Sequence, residues 1–175
     1  ANVIIERRRV HARYLPLRAS LVDIRAIANG WVTRARFGTL ASCPFCNKCF
    51  KETSIRDDLF HFRVCSAVAA LLSSLLNDPS LVDLHMSPRG FYCIGLPSAS
   101  HLLRHIFVLD TLFRVHCVCR HSPKHMNSQE LFALAQARLR NTASHSARTK
   151  AFIEAEFRLA FKHRRVGAHA GTSSG

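Results

Sequence analysis

The sequence predicts a small, mainly α-helical protein with little or no sheet, built around a CCHC zinc knuckle. Three observations predict it. Apolar residues recur at helical spacing in several separate stretches. The chain of 175 residues is 48% hydrophobic with only 7 Gly and 6 Pro, which excludes compositional disorder. Cys43, Cys46, His61 and Cys65 stand as C-x2-C-x14-H-x3-C, four soft ligands at a spacing one zinc ion can use.

The elements follow in order. Residues 1–17 open with Val3, Ile4 and Ile5, pass through Glu6-Arg7-Arg8-Arg9 and end near Pro16. Arg18–Asn29 carries Leu21, Ile24, Ile27 and Ala28 at helical spacing, with Asn29-Gly30 as a C-terminal stop. Trp31-Val32-Thr33-Arg34-Ala35-Arg36-Phe37-Gly38 then leads into the knuckle. Leu59–Leu76 is predicted as one helix whose stripe is Phe62, Val68, Leu72, Leu75 and Leu76. Asp57 or Asp58 caps it, and Asn77-Asp78-Pro79 ends it. Pro79, Pro88, Gly90, Gly95 and Pro97 mark residues 79–97 as a connecting loop, with room for a short strand at Phe91–Ile94.

Ser98–Arg120 is a second strong helix, with Leu102, Ile106, Leu109 and Phe113 inward and Asp110 placed to pair with Arg114. Asn127-Ser128-Gln129-Glu130 has the form of a capping box ahead of Leu131–Arg140. After a weakly helical Asn141–Ser146, a helix over Ala147–Arg165 turns Phe152, Ile153, Phe157 and Phe161 inward. The organisation that results is a basic lead-in with the zinc knuckle (1–78), a loop (79–97), a helical region (98–166) and a disordered tail (167–175).

Charge narrows the partners. The formal charge is +14, from 25 Lys and Arg against 11 Asp and Glu. Residues 1–65 carry 12 basic and 5 acidic side chains and the remainder carry 13 and 6, so the excess is not a detachable tail. A chain this basic repels itself unless a polyanion is near, which points to nucleic acid, with an anionic membrane surface as the weaker candidate. No apolar run approaches the length of a membrane span. The 7 cysteines, four of them bunched, fit a reducing compartment better than a disulfide framework. The chain begins at Ala1 without a leader and reads as a piece of a longer intracellular product, nuclear or cytoplasmic.

The zinc ligands are of two kinds. Cys43-Pro44-Phe45-Cys46 is a knuckle whose two thiolates converge, while His61 and Cys65, four apart, share one face of the predicted helix. Cys46-Asn47-Lys48-Cys49 is also C-x2-C, so Cys49 is an alternative to Cys43; Pro44 stiffens the first pair and favours it. Further His and Cys residues, at His101, His105, His116, Cys117, His121 and His125, invite a second metal. His105 and His116, however, lie about 16 Å apart along a helix and cannot meet at one ion. There is no Gly-rich phosphate loop, no G-x-S-x-G elbow and no H-E-x-x-H, and no catalytic constellation is visible.

The Trp31–Gly38 lead-in, the Cys43–Cys46 knuckle and Asp57-Asp58-Leu59-Phe60-His61-Phe62-Arg63-Val64-Cys65 together resemble the zinc-binding module at the C-terminal end of reverse transcriptases of non-long-terminal-repeat retrotransposons. The resemblance covers about residues 29–75. It implies a nucleic-acid-associated role beside a polymerase domain, whose core is absent from this chain. The gap between Cys46 and the acidic pair is longer than in that family and contains Cys49.

The expectation is a structural-zinc module that binds RNA or DNA. Arg34, Arg36, Lys48, Lys51, Arg56 and Arg63 would contact phosphates; Trp31, Phe37 and Phe45 are either core or base-stacking. The rivals are a zinc-stabilised protein–protein interaction module and a nuclease remnant using Asp78, Asp83 or Asp110.

Overall fold

The computed structural model describes residues 15, 19, 43–46, 59–87, 98–122 and 124–159. These are mainly helical: α1 (Leu59–Val64), α2 (Ser66–Leu75), α3 (Leu81–Met86), α4 (Ala99–His121), α5 (Ser128–Ala143) and α6 (Ala147–Glu156). Among them there is no strand, only an isolated antiparallel bridge between Leu76 and Phe157. Of the 18–29 helix only Ala19, helical and buried, is described; the Phe91–Ile94 strand, the Asp57/Asp58 cap, Phe161 and the tail lie outside the described residues.

α4 is the axis of the fold. Every residue from Leu102 to Leu112 is buried, so the helix is covered on all sides, and the single inward face read from its sequence is too narrow. Phe113, placed inward by that reading, is only half-buried. α5 packs on α4, α6 and α2, and α2 also touches α1 and α3. Phe62, Leu72, Leu75 and Leu76 join Ile106, Phe107, Leu109, Leu112 and Leu139 in one apolar cluster. The α2 stripe is the expected one, with Leu71 added.

The caps are those their residue types favour. Ser98 and Ser146 accept from the amides of His101 (3.2 Å) and Thr149 (3.0 Å). Ahead of α5 the capping box is complete: Asn127 Oδ1 accepts from the Glu130 amide and Glu130 Oε2 from the Asn127 amide, both at 2.9 Å. Asn127→Ala removes one half of it. A loss of about 1 kcal/mol and a drop in Tm of about 3 °C are expected in thermal unfolding; an unchanged Tm would mean that α5 does not depend on its cap.

Three predicted elements are corrected. Leu59–Leu76 is two helices, because Cys65 leaves helical geometry (φ −73°, ψ 118°) to act as N-cap of α2. Leu81–Met86, expected as loop, is helical: Asp78 accepts from the Ser80 amide (3.0 Å) and hydroxyl (2.6 Å), folding the chain back just before α3. α6 stops at Glu156 rather than continuing to Arg165. Phe157 turns extended because the Asn77 amide donates to Glu156 (3.1 Å) and the Arg158 amide to Leu75 (2.7 Å), a pairing that outcompetes another helical turn.

Buried polar groups tie these helices together. Asp110, 2% exposed, holds Arg114 (Nε to Oδ1 3.0 Å) as expected and accepts from Thr142 of α5 at 3.4 Å. Arg104 of α4 pairs with Glu156 of α6. A lone buried charge would cost several kcal/mol, so each is met by a partner on the same or a facing helix.

Candidate metal centre

The four ligands named from spacing alone come together. The donor atoms of Cys43, Cys46, His61 and Cys65 lie within 4.8 Å of one another and all four residues are buried. Cys43 Sγ is 4.0 Å from Cys65 Sγ, and Cys46 Sγ is 3.5 Å from His61 Nε2. This group can hold a metal ion; among the described residues it is the one group of three or more such donors.

Local structure explains each position. In the knuckle the Phe45 amide donates to Cys43 Sγ at 3.4 Å, which turns the chain and brings Cys46 round beside Cys43. α1 presents His61. Cys65 is held differently from the sequence expectation: it does not continue the face of α1 but heads α2. There the amides of Val68 and Ala67 favour its thiolate, as the positive end of a helix does for an anion.

The two sulfurs 4.0 Å apart share a proton. The bond between them favours one thiol beside one thiolate, and burial raises both groups. A cation at the centre would replace the shared proton and take both groups as thiolates. Cys46 is disulfide-bonded in this structure. Only the reduced thiolate binds a metal, so this group can hold one only in reduced protein.

An aromatic cluster fixes the centre to the helical body. Phe45 meets Phe62 edge-on (centroids 5.2 Å, planes 88° apart), and His116 of α4 lies against both rings at 6.2 and 5.2 Å. Phe45 is 2% exposed, so of its two readings, core and base-stacking, it takes the first. The described histidines after residue 100 do not gather: His116 serves this cluster, while His105 faces His85 of α3 across 2.9 Å. Two residues 20 apart on different helices leave no spacing signal, and the sequence reading missed the pair.

Of the basic residues named as phosphate contacts, Arg63 is described, half-buried on α1 two positions after His61. Arg34, Arg36, Lys48, Lys51 and Arg56 lie outside the described residues, as do Cys49, Trp31 and Phe37. The aspartates of the nuclease rival stand apart in three local roles. Asp78 braces the α2–α3 turn, Asp83 is exposed in the first turn of α3, and Asp110 is in the core with Arg114.

Beside the centre runs a groove of about 400 Å³, lined by Phe45 and Cys46, by Ala67, Ala70 and Leu71 of α2, and by Met126 before α5. No helix among the described residues is long and apolar enough to cross a membrane. Comparison of the chain with protein-family models, with curated proteins and with solved structures finds no match.

Proposed function

We propose that this chain is a structural-zinc module that binds nucleic acid inside the cell, in the nucleus or cytoplasm, and that it is a C-terminal piece of a retroelement reverse transcriptase separated from its polymerase core. The observation that carries the zinc reading is the buried Cys43/Cys46/His61/Cys65 group. Three sulfurs and one imidazole nitrogen suit zinc. With zinc bonds of about 2.3 Å to sulfur and about 2.0 Å to nitrogen, the edges of a regular tetrahedron are about 3.8 Å (S to S) and about 3.5 Å (S to N). The observed 4.0 and 3.5 Å are close to both. Four protein donors leave no position for a reacting water, so the role of the ion is structural.

The nucleic-acid reading rests on the +14 charge and on the basic residues flanking the ligands, Arg34, Arg36, Lys48, Lys51, Arg56 and Arg63. The retroelement reading rests on the motif resemblance over residues 29–75. Binding to labelled RNA and DNA is expected to be sequence-tolerant and to weaken with salt, by a log–log slope of about −0.7 to −0.9 per phosphate contact. Arg34, Arg36 and Arg63 changed together to Ala should flatten that slope by about two to three. Binding that ignores salt, or no binding to any nucleic acid, overturns this reading.

Two observations favour a second reading, a zinc-stabilised protein-interaction module. One is the largely apolar groove against the knuckle; the other is Val64, a large apolar side chain left 62% exposed just before Cys65. Salt-insensitive association with a polypeptide would mark that case.

A further inference from the structure

His85 and His105 are both buried, at 1% and 0% exposure, and neither belongs to the metal centre. Their Nδ1 atoms are 2.9 Å apart, their ring planes differ by 15° and their centroids are 5.1 Å apart. Stacked rings keep their planes a van der Waals distance apart, which exceeds 2.9 Å. The centroids are further apart than the nitrogens by about the two ring radii. The imidazoles therefore lie end to end in nearly one plane, joined by one N–H···N hydrogen bond.

Such a bond has room for a single proton, so one ring donates from Nδ1 and the other accepts, and two neutral rings satisfy it without burying a charge. His85 Nε2 is buried without a hydrogen-bond partner. A stranded lone pair costs less than a stranded N–H, so His85 carries its proton on Nδ1 and donates, and His105 accepts.

We propose that this pair is an acid-sensitive latch, holding α3 on α4 at neutral pH and releasing it as pH falls, before the rest of the helical body opens. The first added proton leaves one N–H···N bond but buries a cation and strands an N–H at His85 Nε2. A second breaks the bond. Among the described residues α3 is lightly held: it is six residues long, too short to persist alone, and besides His85 it fully buries only Val82, with Leu81 and Met86 half-buried against the core.

Among the described residues, the surroundings of His85 oppose its protonation. α2 offers no titratable side chain, and Asp83 on α3 is exposed. α4 brings Arg104 and His101, both raising the cost of a positive charge on His85. Glu156 of α6 is committed to Arg104, and Asp78 of the α2–α3 turn also feels Arg104. Burial, followed by His105, Arg104 and His101, drives His85 down to about 2. The direction follows. A histidine with a lowered pKa in the closed state is released to about 6.5 on opening, so the latch is whole above that pH and weakens below it. The opening constant rises about tenfold per pH unit for each proton taken up.

Amide exchange on the full-length, zinc-loaded chain tests this. Between about pH 7 and about pH 5 the protection factors of α3 should fall tenfold or more per unit, with those of α5 as internal reference falling much less. In the His85→Phe/His105→Phe variant, whose zinc ligands are unchanged, the extra loss in α3 should vanish. Nitrogen-15 imidazole spectra of the unmutated protein give a readout that needs no variant: at pH 7 both rings should be neutral, His85 protonated on Nδ1 and His105 on Nε2. Flat α3 protection, an equal fall in the variant, or a cationic ring at pH 7 overturns the proposal.

Discussion

Cys65→Ser is expected to abolish stoichiometric zinc binding and to unfold the knuckle together with α1. Structural zinc contributes about 10–16 kcal/mol of apparent binding free energy in small modules, and a three-ligand remnant forfeits most of it. Position 65 should be at least as sensitive as Cys43 because it does two jobs. Its sulfur closes the cluster, 4.0 Å from Cys43, and its backbone forms the break that starts α2. Cys117→Ser, at a half-buried thiol outside the cluster, should leave the metal in place, as should Cys49→Ser. Metal analysis with circular dichroism on the three reduced variants checks this; zinc retained at full stoichiometry in Cys65→Ser would remove that residue from the site.

The second large effect is expected at Phe62. It is 1% exposed and is the ring that both Phe45 and His116 contact, so it joins the knuckle to the axis helix. Phe62→Ala should cost about 3–5 kcal/mol in denaturant unfolding, a large part of the roughly 5–15 kcal/mol that holds a domain folded. Zinc affinity should fall with it, since His61 is the neighbouring residue. Phe152→Ala, a half-buried ring of α6 whose centroid lies 5.8 Å from that of Phe107, should cost less and leave zinc affinity unchanged. A loss at Phe62 below about 1 kcal/mol would show that the metal centre and the helical body are independent.

What the sequence reveals and what it hides divide along physical lines. The four metal-capable donors are legible because their spacing is a local constraint: C-x2-C brings two thiols together within one turn of chain, and H-x3-C keeps two more donors close in sequence. The Asn127–Glu130 box and the Asp110–Arg114 pair are legible for the same reason, each spanning three or four residues. The break at Cys65 is hidden because the apolar period runs unbroken from Phe62 to Leu76, and only the demand of the cluster on Cys65 interrupts it. The end of α6 is hidden because it is set by Leu75 and Asn77, about 80 residues upstream. His85 facing His105 is a tertiary coincidence of the same kind, and the all-round burial of α4 depends on how many neighbours it acquires.

Whether Cys43, Cys46, His61 and Cys65 hold one zinc ion is decided by X-ray absorption at the zinc edge, on reduced protein purified without chelator. One zinc per chain is expected, with three sulfur neighbours at about 2.3 Å and one imidazole nitrogen at about 2.0 Å. Protein that is folded yet free of zinc, or zinc bound through oxygen or through fewer than three sulfurs, would contradict it.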